Sequence, residues 1–210
     1  MKRKHIILGI FITVLGLSSI SIAAMGTPAN TSSATGVQAS ISDKEWQGNG
    51  NNVNLGVLQV GDIICIKGTL VGAGLVEWII GYSHCAIYIG NGQMVEGWSG
   101  GVRITPIEMV HNADCAEIVR VSTSSWVKQQ AVNWMLGKLG YDYDYKWLTY
   151  IGGKEREGSS YYCSELAWAG YLTYGVDIDQ NPGWSWNYGF NVAPQELADD
   201  NNVWTVAYDA

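Results

Sequence analysis

The chain is poor in phenylalanine, histidine and basic charge: its 210 residues hold two Phe, three His and 12 Lys+Arg against 19 Asp+Glu. The net charge of −7 argues against a nucleic-acid protein, which needs a basic surface to meet phosphates. So few histidines leave a short list of candidate general bases. No dinucleotide fingerprint is present, because Gly72-Ala73-Gly74 and Gly90-Asn91-Gly92 lack the third glycine, and no Walker sequence occurs. No pair of His or Cys has metal-ligand spacing, so neither structural zinc nor another cofactor is expected. Internal repeats and a second, wall-binding domain are also missing. What is present is a 47% hydrophobic, 15% charged composition, which excludes a disordered or collagen-like chain. The length suits one ordinary domain. Ten Trp and twelve Tyr are amphipathic rings, and their excess over Phe points to wet aromatic surfaces as well as core.

Residues 1–24 read as a signal peptide. Lys2, Arg3 and Lys4 precede the apolar run Ile6 to Leu17, and small residues follow around Ser21, Ala23 and Ala24, the order of a secretory signal with cleavage after Ala23 or Ala24. The rival is an uncleaved membrane anchor, since the apolar character nearly reaches spanning length. No other stretch is long and apolar enough to cross a bilayer. Without the signal, nine basic residues face 19 acidic ones, a net −10, and His84 and His111 are the only histidines. Residues 25–54 form a flexible spacer and loop, rich in Ser, Thr, Ala and Gly at first and ending in GNGNNVN. Residues 55–210 remain for the folded, catalytic part.

That part reads as strands first, then helices. Strands are expected at Asp62–Lys67, at Ser83–Ile89 and Gln93–Trp98 about a Gly-Asn-Gly turn, and at Glu117–Ser122. Leu75–Ile80 reads as a helical turn or loop. Ser125 is expected to cap a helix from Trp126 to about Leu139, stopped by Gly140, and a second helix runs from Ser160 or Tyr161 to Thr173, ending at Gly175. The class is α+β, a small antiparallel sheet packed with helices.

Cys163 stands where a loop carrying Gly158, Ser159 and Ser160 feeds a helix. Backbone N–H groups there favour a thiolate and can receive an oxyanion; a small core residue is the plainer alternative. His84 opens an otherwise apolar strand and so needs a polar partner or a function, whereas His111 reads as a solvated loop residue. If a cysteine needs a base, His84 is the choice. Glu96 can orient it only in one register. A two-residue Asn91-Gly92 turn would pair Ile87 with Glu96 and put the carboxylate on the wrong face. A three-residue Gly90-Asn91-Gly92 loop would pair Ala86 with Glu96 and place it diagonal to His84; Gly92 suits that loop, which is the one expected. The other cysteines, Cys65, Cys85 and Cys115, read as bystanders rather than as disulfide partners, with Cys65 and Cys85 as buried thiols in strands.

Gly61-Asp62-Ile63-Ile64, Ser83-His84 with Tyr88-Ile89-Gly90, Val95-Glu96, and Tyr162-Cys163-Ser164-Glu165-Leu166 follow one another in that order. The set resembles the circularly permuted branch of the NlpC/P60 papain-like cysteine hydrolases, the YiiX/YebB-like group, over about Leu58 to Leu197. Tyr141-Asp142 and Ala193-Pro194-Gln195-Glu196-Leu197 add to it. Cys85 and Ala86 depart from the pattern, standing where that group often has an apolar residue and glycine. The resemblance implies a permuted papain-like fold with His84 as catalytic histidine, Glu96 as its partner and Cys163 as nucleophile, in a chain order that reverses the usual nucleophile-first arrangement. It implies acyl transfer through a thioester. The Cys163 N–H is one oxyanion donor, and Tyr143 and Tyr162 are candidates for the second. Glu165 reads as a helix-capping or packing residue.

The leading expectation is an exported amidase or peptidase acting on cell-wall peptides or another amide or ester, with membrane contact only if the signal is retained or the substrate is a lipid. A lipid-directed thiol hydrolase or acyltransferase is the second reading, favoured by a pocket long enough for an acyl chain. A non-catalytic carbohydrate- or cell-wall-binding module is the third: Trp98, Trp184 and Trp186 are candidates to line a cleft, although Trp184 and Trp186 could equally cap the core.

Overall fold

The computed structural model describes residues 48–68, 81–149 and 151–209, all within one unit of the chain, 41–210. The signal, most of the spacer and Leu75–Ile80 lie outside the described residues. Six strands make one antiparallel sheet: β1 (Ile63–Lys67), β2 (His84–Gly90), β3 (Gln93–Trp98), β4 (Gly101–Pro106), β5 (Cys115–Val121) and β6 (Val203–Asp209), in the spatial order β4-β3-β2-β1-β5-β6. Among the described residues three α-helices accompany it, α1 (Ser125–Leu136), α2 (Cys163–Thr173) and α3 (Pro194–Asp199). The fold is α+β, as expected. Among the described residues no helix is long and apolar enough to cross a membrane.

β1 is an unbroken apolar run because both of its faces are buried. On one face Ile63 and Cys65 join Cys85, Ile87, Val95 and Val119 beneath Ala131 and Met135 of α1 and Leu166 and Tyr171 of α2. On the other, Ile64 and Ile66 pack with Ala86, Met94 and Ile118 under Ile107 and Val110 of a 3-10 helix, Ile107–Asn112. His111 lies in that helix rather than in a solvated loop; it is half-buried, and its Nδ1 lies 3.0 Å from the Asn51 carbonyl. At the head of β1, fully buried Asp62 accepts from Arg120 Nε at 2.8 Å, Arg120 Nη2 at 2.6 Å and the Gln59 amide at 2.8 Å. One carboxylate thereby ties β5 and the preceding turn to β1.

The helices begin and end where local chemistry dictates. Ser124, one residue before the expected cap, accepts from the Val127 amide and starts α1. The helix ends at Leu136, three residues before Leu139, with Gly137 as its cap. α2 starts at Cys163 rather than at Ser160 or Tyr161, because those two residues are held extended: Ser160 bridges Asp142, and the Tyr161 amide donates to the Asp142 carbonyl at 3.0 Å. Gly175, at a φ of 81°, supplies the expected stop.

The β2–β3 hairpin has the expected register by an unexpected device. Ile87 pairs with Val95, so Glu96 falls diagonal to His84. The tip, however, is a two-residue turn, with Asn91 and Gly92 both left-handed at φ 54° and 71°. The odd residue is absorbed by a bulge between Tyr88 and Gly90 instead of by a three-residue loop.

Candidate active site

His84 is the first residue of β2 and Glu96 the fourth of β3. His84 Nε2 lies 2.6 Å from Glu96 Oε2, with the two residues 4% and 0% exposed. The other carboxylate oxygen of Glu96 accepts from Arg103 Nε at 2.9 Å and Thr105 Oγ1 at 2.5 Å, both on β4. Burial works against charge on Glu96, but His84 first, then Arg103 and Thr105, hold its carboxyl below the usual value. The ring of Trp98 meets the His84 ring edge to face at 5.0 Å and also lies under the Arg103 guanidinium.

Cys163, the first residue of α2, closes the arrangement. Glu165 Oε2 accepts the Tyr162 amide at 3.2 Å and Oε1 the Glu155 amide at 2.7 Å, which fixes the helix start. Those two bonds give Glu165 the capping role read from the sequence; burial nevertheless pushes its carboxyl up to about 8. The amides of the first helical turn have no intrahelical partner, and they present positive potential to the thiol. The Cys85 thiol, the His84 imidazolium and the Cys85 backbone N–H together draw the Cys163 thiol well below its ordinary value, against the opposing effect of burial. Burial would lower the His84 imidazolium too, but Cys163 and Glu96 outweigh it and push it up to about 9. These opposite shifts favour a thiolate–imidazolium pair, an arrangement suited to attacking a carbonyl and then protonating a leaving nitrogen.

Gly97 makes the approach possible. A Cβ built there would lie 2.9 Å from the Tyr161 carbonyl oxygen and 3.2 Å from the Cys163 amide nitrogen, so the absence of a side chain lets the start of α2 rest on β3. Sequence reasoning passed over Gly97, and over Arg103 and Thr105, which lie on a strand it did not identify. It also set Cys85 aside as a bystander, although Cys85 is the first cause of the lowered Cys163 thiol.

A cavity of about 440 Å³ opens beside the thiol, lined by Ser83, His84, Trp98, Tyr143, Tyr162 and Cys163 at its inner end and by Tyr145, Leu148, Tyr188 and Val192 further out. Among the described residues no Asp, Glu, Lys or Arg side chain lines it. Tyr143 and Tyr162 both reach it, and burial raises both phenols, so each keeps its proton at neutral pH. The Tyr162 oxygen also accepts the Val192 amide at 3.0 Å. Trp98 lines the cavity, but Trp184 and Trp186 do not. They stand 45% and 87% exposed, with Trp184 against Phe190 at 5.2 Å. Their segment turns back on itself through paired bonds between Ser185 and Gly189, which brings Asn187 and Tyr188 to the cavity instead. Among the described residues no group of three or more His, Cys, Asp or Glu side chains is arranged to hold a metal ion.

An antiparallel sheet that carries its histidine and carboxylate ahead of a helix headed by cysteine is the permuted form of a papain-like hydrolase. A family model described as permuted papain-like amidase enzyme, YaeF/YiiX, C92 family matches residues 57–207, and the chain belongs to that family. It is an amidase of the cysteine-peptidase type. No curated protein and no solved structure matches the chain.

Proposed function

We propose that this protein is an exported cysteine amidase in which Cys163 is the nucleophile, His84 its general acid and base, and Glu96 the group that orients the imidazole. The observation that carries the reading is the buried Glu96–His84 bond on the same cavity as Cys163, whose thiol is drawn down at a helix N-terminus. Thiolate attack on the amide carbonyl forms a tetrahedral intermediate whose oxyanion is received by the Cys163 N–H and a tyrosine hydroxyl, Tyr143 or Tyr162. His84 protonates the departing amine, and water, deprotonated by His84, then releases the thioester. Glu96 keeps Nε2 engaged, so that Nδ1 faces the sulfur. Export rests on the basic-then-apolar opening of the chain.

Cell-wall peptides are the first substrates to test. A second reading, an amide or ester with an apolar acyl group, is favoured by one observation: among the described residues the cavity beside the thiol is walled largely by aromatic and aliphatic side chains, and beyond the His84–Cys163 pair it carries no Asp, Glu, Lys or Arg to meet a peptide terminus. One experiment separates them. The protein and its Cys163→Ala variant are incubated with purified cell-wall peptides and with lipid amides and esters, and the products are identified by mass spectrometry. Product from one set, absent with Cys163→Ala, assigns the substrate. Equal turnover by Cys163→Ala rejects thiol catalysis. No product, together with no labelling of Cys163 by an electrophile, supports a binding module instead.

A further inference from the structure

Cys163 does not stand alone. Cys65 and Cys85 are directly opposed on β1 and β2, and both are fully buried on the face that carries α2. The Tyr88 amide donates to the Asp62 carbonyl, so hydrogen-bonded pairs fall at every second position from there. Cys65 and Cys85 consequently form a non-hydrogen-bonded pair. Opposed side chains approach closest in such pairs, at a Cα separation of about 4.5 Å, which a disulfide can span. Cys163, at the head of α2, packs into the same buried cluster, and its thiol and that of Cys85 perturb one another. Cys85 therefore stands opposite Cys65 across the sheet and in one buried cluster with Cys163. Cys65 also points its thiol at the Pro194 carbonyl, 3.5 Å away, so α3 holds it against the sheet.

We propose that Cys65 and Cys85 are a dithiol reserve that returns Cys163 to the thiolate after oxidation by a hydroperoxide, a peroxide-reducing activity built behind the amidase site. The proposal rests on the reading of Cys163 as the nucleophile. In the first step the Cys163 thiolate attacks the distal oxygen of the hydroperoxide. An S–O bond forms, the O–O bond breaks, and the alkoxide or hydroxide leaves with the His84 proton, so sulfur is oxidised by two electrons to the sulfenic acid. Cys85 then attacks that sulfur; an S–S bond forms, the S–OH bond breaks, and the hydroxyl leaves with the thiol proton as water. Cys65 next attacks the Cys85 sulfur, the Cys85–Cys163 bond breaks, and Cys163 departs as thiolate while the Cys65 proton passes to His84. The sum is one hydroperoxide and two thiols converted to an alcohol, water and a Cys65–Cys85 disulfide. A low thiol pKa makes Cys163 the best leaving group of the three. Burial keeps Cys65 and Cys85 protonated, so they do not compete with Cys163 for electrophiles and act only after the sulfenic acid has formed.

The test uses the reduced protein, Cys65→Ala, Cys85→Ala and Cys85→Ser. Each is exposed to equimolar hydrogen peroxide, and disulfides and higher sulfur oxides are then mapped by mass spectrometry. Amidase activity is scored against the same variant before peroxide. The unaltered protein is expected to keep its activity and to carry a Cys65–Cys85 disulfide. Cys65→Ala should lose activity as a Cys85–Cys163 disulfide and regain it with dithiothreitol. Both Cys85 variants should lose activity irreversibly as Cys163 passes to sulfinic acid; agreement between Ala and Ser excludes a packing defect. Sulfinic acid at Cys163 in the unaltered protein, formed as fast as in the Cys85 variants and without a disulfide, would overturn the proposal. Absence of amidase activity before peroxide is a separate result that counts against the amidase reading alone.

Discussion

Glu96→Gln isolates the charge behind the imidazolium. Glutamine preserves the shape of the side chain, and its carbonyl oxygen can still accept from Arg103 Nε or Thr105 Oγ1, which now lie 2.9 and 2.5 Å from Glu96 Oε1. Its amide nitrogen then falls where Glu96 Oε2 sits 2.6 Å from His84 Nε2. A donor there opposes the protonated ring, so His84 loses its charge-assisted hydrogen bond and its closest negative neighbour other than Cys163. Such bonds contribute about 1.5–3 kcal/mol, so kcat/KM should fall about 10- to 150-fold. The midpoint of His84 should move down from about 9, and the Cys163 thiol should rise because its imidazolium partner is weakened. The assay pairs kcat/KM on a short acyl anilide with the pH dependence of Cys163 alkylation by iodoacetamide. A urea titration accompanies it, since the depressed Glu96 pKa stabilises the fold above the ordinary carboxylate range and that contribution fades as pH falls through the folded value. Unchanged kcat/KM and an unmoved alkylation profile in a folded variant would refute the assignment of Glu96.

The pH profile of the unaltered protein is expected to be bell-shaped in kcat/KM. Its acid limb lies well below the ordinary thiol range, where Cys163 gains a proton, and its basic limb lies near 9, where His84 loses the proton needed by the leaving group; a basic limb at the unperturbed histidine value would contradict the ion pair. Gly97→Ala should displace the Tyr161–Cys163 backbone, because the new methyl meets main-chain atoms that cannot swing aside, and kcat/KM should drop by up to about 10²-fold with a cooperative melt retained. Asp62→Ala leaves Arg120 without the carboxylate it grips through two nitrogens and should cost about 3–5 kcal/mol in urea unfolding. Tyr143→Phe and Tyr162→Phe distinguish the second oxyanion donor: the one that matters should lower kcat about 10²–10³-fold with little change in KM.

Much of the fold was legible because its signals are local. A Gly-Asn-Gly turn between alternating strands, a serine before an amphipathic run and a glycine after one each define an element within a few residues of sequence. β4 and β6 were missed. Gly101–Pro106 and Val203–Asp209 are the second and outermost strands of pairs whose stability comes from partners, β3 in one case and the distant β5 in the other. Boundary errors have the same origin. Ser160 and Tyr161 can begin a helix on their own propensities, but the pairing with Asp142 keeps them extended.

The site divides along the same line. Cys163 and His84 announce themselves at a helix start and a strand start, where a polar or reactive side chain is out of place unless it is used. Glu96 depended on whether one odd residue lay between β2 and β3, and the count was recoverable although its location was not: the chain spends it in the bulge before Gly90 rather than at the tip. The bulge has a consequence for chemistry, because it decouples the register from the turn. A tight two-residue tip with both residues left-handed sets the strand twist, while the bulge alone moves Glu96 onto the face of His84. Of the residues that tune this pair, Arg103 and Thr105 come from the neighbouring strand β4, while Gly97 and Cys85 directly follow Glu96 and His84 on their own strands and carry no local signal. A residue that looks like strand filling in one dimension, Cys85 between His84 and Ala86, becomes in three the thiol that tunes the reactive sulfur.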